Sequence, residues 1–364
     1  SRIAECSDFI SQFEYVLVAT PHTNERETIV NGLLEKINTS LLVADTASFR
    51  GCQSVEELYQ EYGDNALKLL LYNAIEIPRP GLIWLSSVEL SEELPKNRIV
   101  SGLPVLDYLT GGFCGGQLSV WTGRRGEGKS TFLGQMLVEA VNQGKSVCAY
   151  SGELPASQFK RGIAPQIAGP ANLKKVPDPM TGRYEYLPSD MKAINRWIDG
   201  RFFLTDIRKA SAHDEDYIVG LFEYAYRAYG CSVFLVDNIM TAKLKNEKEL
   251  GYLGAQKDFT RRLSEFAKHY DAHVYMVAHP RKAGDGALSA DDVAGANEIG
   301  NLADKLFSVE RQEEGALIRI LKDRQTGNRG KVELMFDEKS KRFYPPGESP
   351  GKKYSWESYR DGHG

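Results

Sequence analysis

LSVWTGRRGEGKS, residues 118–130, is the stretch that decides how the chain is read. Its first five residues form a short apolar run of strand type. They pass into Gly123-Arg124-Arg125-Gly126-Glu127-Gly128-Lys129-Ser130, which satisfies G-x-x-x-x-G-K-[ST] at every fixed position. From Lys129 through Thr131 and on to residue 142 the pattern is that of an amphipathic helix. Strand, glycine-rich turn and helix in that order make a phosphate-binding loop. The glycines let backbone N–H groups converge on phosphate oxygens, and the helix N-terminus adds partial positive charge. Lys129 is expected to reach the β and γ phosphates of ATP or another nucleoside triphosphate, and Ser130 to ligate Mg²⁺. A chance glycine-rich turn is the alternative, and it leaves the two flanking elements unexplained.

Downstream of this loop, strands alternate with helices. VCAYS (147–151), VFLVD (233–237) and VYMVA (274–278) read as buried strands, and a shorter one falls at 201–205. Helices are expected at 156–167, 215–229 and 252–270. Residues 170–188 are proline-bearing and read as an irregular insertion. Strands at 306–309, 316–321 and 331–336 are joined by short loops and read as antiparallel, at an edge. The alternation predicts an α/β fold with a mainly parallel central sheet wrapped on both sides. In such a sheet the C-terminal ends of the strands face the ligand. Asp237 is then the expected Mg²⁺-side carboxylate, with Asp206 the second choice. Glu153, just after VCAYS, is expected to orient and polarise the attacking water; otherwise it is a helix-start carboxylate ahead of Pro155. His279 ends VYMVA, where it is placed to sense the γ-phosphate.

Upstream, residues 15–19 (YVLVA) and 41–44 (LLVA) read as strands, and 25–37, 55–62 and 66–74 as helices: a small α/β unit. Residues 78–96 carry prolines and acidic residues and read as a linker with a short helix at 88–94. The expected division is a small domain at 1–80, a linker at 81–98, an ATPase domain at 99–346 and a tail at 347–364. The chain has 364 residues, and domains run to roughly 100–200 residues each, so two or three are expected. With 42% hydrophobic and 26% charged residues, the composition excludes disordered, collagenous and membrane-embedded classes. A net charge of −4 excludes a general polyanion binder and requires any nucleic-acid contact to be local. Five scattered cysteines, Cys6, Cys52, Cys114, Cys148 and Cys231, form no C-x-x-C pair, which argues for reduced thiols rather than a disulfide framework or zinc module. No apolar run of ~18 residues and no leader is visible.

With these residues in place the arrangement resembles a known group. Ser101-Gly102-Leu103-Pro104-Val105-Leu106-Asp107 and Gly115-Gly116-Gln117-Leu118 resemble the entry to RecA-like ring ATPases. Ser151-Gly152-Glu153-Leu154 and Val236-Asp237-Asn238-Ile239-Met240 resemble the catalytic-glutamate and metal motifs of replicative hexameric helicases. Ala278-His279-Pro280-Arg281-Lys282 and Leu321-Lys322-Asp323-Arg324-Gln325-Thr326-Gly327 are similar to stretches of the mitochondrial Twinkle helicases and the phage primase–helicases.

That resemblance implies a RecA-like P-loop NTPase working as a ring-shaped replicative DNA helicase. A ring repeats its DNA contacts, so a few basic residues per subunit suffice, and the acidic net charge is compatible with DNA binding. Arg324 is implied as the finger that crosses to the neighbouring subunit's ATP, with Lys322 assisting. Arg311 and Phe336 match positions that sandwich the adenine; read alone, they are an exposed arginine and a core phenylalanine. Arg281 and Lys282 suit a channel loop gripping single-strand phosphates, and Gly295-Ala296-Asn297 a second channel-facing turn. The implied partners are single-stranded or forked DNA, further copies in a hexameric ring, and a primase, polymerase or single-strand-binding protein. The implied compartment is the phage-infected or bacterial cytoplasm, or the mitochondrial nucleoid. The front unit resembles a degenerate TOPRIM domain: Thr20-Pro21-His22-Thr23 stands where such domains carry Asp-x-Asp, and Asp64-Asn65-Ala66 resembles a later segment. A RecA-like recombinase or regulatory ring ATPase that binds DNA without unwinding it is the alternative.

Overall fold

The computed structural model describes residues 6–79, 81–88, 97–175, 184–209, 211–280 and 296–360. The chain divides into two compact units, Ser1–Glu92 and Glu93–Gly364.

In the first unit, α1 (Ser7–Ile10), β1 (Tyr15–Val18), α2 (Thr23–Leu34), β2 (Ser40–Val43), α3 (Val55–Tyr72) and β3 (Ile75–Ile77) follow one another. β1 and β2 pair in parallel, and β3 pairs antiparallel with β2. The strand–helix–strand–helix order matches the sequence reading, which missed β3. Gly63 breaks α3 with φ 67°, between the two helices read separately from sequence. Val18, Val30, Leu33, Ile37, Leu41 and Val43 fill one small core. Phe49, Leu58, Ala66 and Leu70 belong to another.

The second unit holds α4 (Pro104–Thr110), β4 (Gln117–Thr122), α5 (Lys129–Asn142), β5 (Ser146–Ser151), α6 (Ala156–Ala168), the two-stranded hairpin β6 (Leu173–Lys175) and β7 (Tyr184–Tyr186), and α7 (Pro188–Ile198). It continues through β8 (Phe202–Leu204), α8 (Glu215–Tyr229), β9 (Cys231–Asp237), α9 (Glu247–His269), β10 (His273–Val277), α10 (Ala296–Leu302), β11 (Lys305–Arg311), β12 (Gly315–Asp323), β13 (Gly330–Asp337) and β14 (Arg342–Tyr344). Nine strands form one sheet in the order β14-β13-β12-β11-β4-β10-β9-β5-β8. From β11 to β8 the pairing is parallel; β12, β13 and β14 are antiparallel. The sequence expectation of an antiparallel edge needs one correction. β11 pairs in parallel with β4 as well as antiparallel with β12, because its approach comes through α10 rather than a hairpin.

Two cores sandwich this sheet, as period-two strands buried on both faces require. One holds Trp121, Phe132, Leu137, Ile194, Trp197 and Phe307; the other holds Leu118, Phe234, Phe259, Leu263, Met276 and Leu306. Residues expected as a C-terminal tail are packed in over their described part: Tyr354 and Trp356 are buried. The Tyr354 hydroxyl donates to Glu139 on α5 at 2.7 Å, and the Trp197 indole donates to Ser355 at 2.9 Å. The helix expected at 88–94 falls outside the described residues beyond Val88.

Candidate active site at the strand ends

β4, β10, β9 and β5 lie side by side and parallel, so their C-terminal ends open on one edge of the sheet. Each carries one of the expected groups. β4 leads into Gly123–Lys129. Gly123 has φ +151°, and a Cβ there would stand 2.4 Å from the Val309 carbonyl oxygen of β11; only glycine lets the loop pass that strand so closely. Lys129 opens α5, is 5% exposed, and donates to the Gly123 and Arg124 carbonyls at 2.7 Å each. Burial lowers its pKa, against the pull of Asp237, Glu127 and Glu153. Glu127 accepts a hydrogen bond from the Arg311 backbone N–H, which ties the loop to the end of β11.

β9 ends in Asp237, which is buried and hydrogen-bonded to Ser130. Burial raises its pKa and nearby Glu153 adds to this, while Ser130 and Lys129 oppose it. A divalent cation at this point would remove that penalty. A serine hydroxyl and one carboxylate are hard oxygen donors, the sparse set that suits Mg²⁺ held largely by phosphate oxygens and water. Among the described residues no group of three or more His, Cys, Asp or Glu side chains is arranged to hold a metal, which agrees with a cation that arrives with its nucleotide. Asp206 takes no part. It follows edge strand β8 and is held by Arg208 at 2.8 Å, whose hydrogen bonds bring its pKa down to about 2.

Sequence reading missed the residue that joins the remaining groups. The Asn238 amide donates to Glu153 Oε1 at 2.6 Å and lies 3.2 Å from His279 Nε2. Its own Oδ1 accepts from the Met240 N–H at 2.9 Å. Asn238 thus links the ends of β5 and β10 across β9. A polar residue after a strand-terminal aspartate carries no distinctive signal of its own. His279 also hydrogen-bonds the Gly123 backbone, and burial, followed by Lys129, lowers its pKa, so the neutral ring is favoured. Gly152 lets β5 approach the turn after Asn238: a Cβ there would meet Thr241 Oγ1 at 1.8 Å.

Arg311 is exposed at the end of β11 on this same edge. Phe336, on β13, stacks 4.8 Å from Phe343, which in turn lies beside Gly128. Both are therefore on the loop's edge of the sheet, although Phe336 also serves the core. Lys322 and Arg324 are not. β12 runs antiparallel, with Lys305 opposite Asp323 and Arg311 opposite Ala316. Six residue steps separate those levels, so Arg324 is roughly 20 Å from the loop's end of the strands. Lys322 donates to the carbonyls of Gly300, Asn301 and Ala303 at 2.6, 3.2 and 2.8 Å. Arg324 donates to the Asn301 carbonyl and lies 3.5 Å from Asp304. Arg281, Lys282 and Gly295 lie outside the described residues. Asn297 falls within α10 rather than in the expected turn.

The fold and the loop define a P-loop ATPase of the RecA-like class found in replicative helicases. No protein-family model matches the chain. It is 22% identical over 302 residues to the DNA helicase/primase of Enterobacteria phage T3, an alignment that covers 77% of this chain and 52% of the relative. The chain therefore spans about half the length of that curated relative. Among solved structures it is similar to an ATPase domain determined by itself, with a TM-score of 0.55, 15% identity and coverage of 70% of this chain and 93% of the other. It is also similar to a DnaB-like replicative helicase studied with primase, with a TM-score of 0.56, 16% identity and coverage of 88% and 74%. Among the described residues no helix is long and apolar enough to cross a membrane.

Proposed function

We propose that the chain is the motor of a ring-shaped replicative DNA helicase, hydrolysing ATP or another nucleoside triphosphate with Mg²⁺ and moving along single-stranded DNA. The observation that carries this reading is the edge-to-edge split. Lys129, Ser130, Glu153, Asp237 and His279 converge at one end of the parallel strands, whereas Lys322 and Arg324 stand at the other. An arginine placed there cannot serve its own chain's phosphates and is suited to a neighbour's. Bound Mg²⁺ would supply charge neutralisation at the phosphates, held on the protein side by Ser130 and Asp237. Gly123–Thr131 cradle the triphosphate, and Glu153, held by Asn238, aligns and deprotonates water. Neutral His279 accepts or donates one hydrogen bond between the Gly123 backbone and Asn238, so a shift of either group is felt by the segment that follows it.

On this reading Arg281, Lys282 and Asn297 contact the DNA backbone, Arg311 and Phe336 hold the base, and further copies, in a hexamer, complete the sites. A primase, polymerase or single-strand-binding partner belongs to the same proposal, as do the domain limits 1–80, 81–98, 99–346 and 347–364 and the degenerate TOPRIM character of the front unit. The phage origin of the curated relative favours a phage or bacterial setting over the mitochondrial nucleoid. The test is unwinding of a forked duplex by the full chain with ATP and Mg²⁺. Unwinding that stops with Lys129→Ala supports the motor; pairing of complementary strands without unwinding would favour the recombinase alternative.

A further inference from the structure

The opposite edge of the sheet holds an ion pair that no step above uses. Lys305 and Asp323 face each other across β11 and β12 with both side chains fully buried, Nζ to Oδ2 2.7 Å. Lys305 Nζ also donates to the Thr110 carbonyl at 2.8 Å and reaches Gln325 Oε1 at 3.5 Å, so its three N–H groups are all engaged. The other carboxylate oxygen of Asp323 accepts the backbone N–H groups of Gln325 and Thr326 at 2.9 and 3.1 Å. One carboxylate thus closes the turn that carries Arg324 and anchors it to a buried cation.

The strand register is adapted to this pair. Phe307 is opposite Ile320, yet Leu306 is opposite Lys322 and Lys305 opposite Asp323, a one-residue shift. Continued without the shift, the pairing would set Lys305 against Lys322, two like charges across one rung. The extra residue gives Lys305 an acidic partner and leaves Lys322 opposite Leu306. Each lysine then caps a different helix. Lys305 takes the last carbonyl of α4, and Lys322 takes those at the end of α10, where a cation offsets the helix dipole. Thr326 and Asn328 add bonds to the Leu109 carbonyl at 3.2 and 2.9 Å. The Arg324 turn is therefore gripped by both helices.

A buried ion pair contributes little net stability, since desolvating two charges offsets their attraction. What it does supply here is a fixed position for the turn. We propose that Lys305 and Asp323 are positioning residues for Arg324, setting the height and direction from which its guanidinium meets the neighbouring subunit's nucleotide. This rests on the reading of Arg324 as a residue acting between subunits.

The test uses the full chain carrying Lys305→Met and Asp323→Asn together, which keeps an acceptor for the two turn N–H groups and removes both charges. With a non-hydrolysable nucleotide and a short single strand, its assembled mass should equal wild type. KM for ATP should stay within about twofold, and kcat should fall by about 10–100-fold, the scale of a small misplacement. Added to Arg324→Ala, the pair of changes should lower kcat no further. Mixed with Glu153→Gln chains, whose Arg324 turn is intact, the variant should regain turnover, which a merely weakened fold would not do. If the double variant does not assemble, Asp323→Asn alone is measured, with the same split between kcat and KM expected. Wild-type kcat in whichever variant assembles, beside an impaired Arg324→Ala, overturns the positioning role. Wild-type kcat in Arg324→Ala itself overturns the underlying reading instead.

Discussion

Two edges of one sheet solve opposite problems. At the C-terminal edge of β4, β10, β9 and β5, Lys129, Asp237, Asn238, Glu153 and His279 engage one another or the loop backbone. At the other edge, Lys322 and Arg324 lean on the end of α10, and Arg324 is exposed. The first edge is enclosed and preorganised for charge, the setting in which fixed dipoles act most strongly. The second is a rigid mount with its charged tip turned outward. The difference teaches that a single copy of this chain carries both halves of a site without bringing them together.

Substitutions sharpen that contrast in order of size. Lys129→Ala removes the phosphate contact and should lower kcat/KM by ~10⁴ or more, read as phosphate release; retained turnover would mean the chemistry lies elsewhere. Arg324→Ala should lower kcat by ~10³ with little change in KM, because it leaves the cradle intact. A KM increase with unchanged kcat would instead make Arg324 a simple binding residue. Asn238→Ala frees Glu153 and His279 and should cost about 10–100-fold in kcat at unchanged nucleotide affinity. An unchanged rate would show that Glu153 holds its place without the amide.

The smallest effect is on stability. His273 is fully buried between Ser119, at 2.9 Å, and the Cys114 carbonyl, at 2.8 Å. Burial brings its pKa from 6.5 down to about 3. The folded state therefore refuses a proton that the unfolded chain accepts. Above about 6.5 this costs nothing; as pH falls further, stability should drop by about 1.4 kcal/mol per pH unit until the folded pKa is reached. Urea unfolding at about pH 7 and about pH 5.5, followed by tryptophan fluorescence, should show that slope in wild type and a smaller one in His273→Asn. Equal slopes would exclude His273 as its source.

Much of this was legible in the sequence. GRRGEGKS, at the right strand–helix junction, announces the loop, and Asp237, Glu153 and His279 each follow an apolar strand that sheet physics turns toward the ligand. The helix breaks at Gly63 and Gly251, with φ of 67° and 69°, also fall where the helical patterns stop and restart. What stayed hidden was non-local. The parallel pairing of β11 with β4 joins distant segments, and the register shift that sets Asp323 against Lys305 depends on which strand lies opposite. Asn238 is defined by its two partners rather than by its own pattern. The packed end of the chain does carry a signal: Tyr354 and Trp356 are large aromatic residues in an otherwise polar stretch.

Mixing two inactive variants tests the shared site most directly. Glu153→Gln chains lack the water-aligning group but keep Arg324, and Arg324→Ala chains lack the guanidinium but keep the cradle. In an equal mixture, about a quarter of head-to-tail interfaces would pair an intact cradle with an intact arginine. ATP turnover should return to that order while each variant alone stays near background. Mixed particles of full mass that remain inactive, or Arg324→Ala chains that turn over ATP unaided, would contradict a site built from two copies.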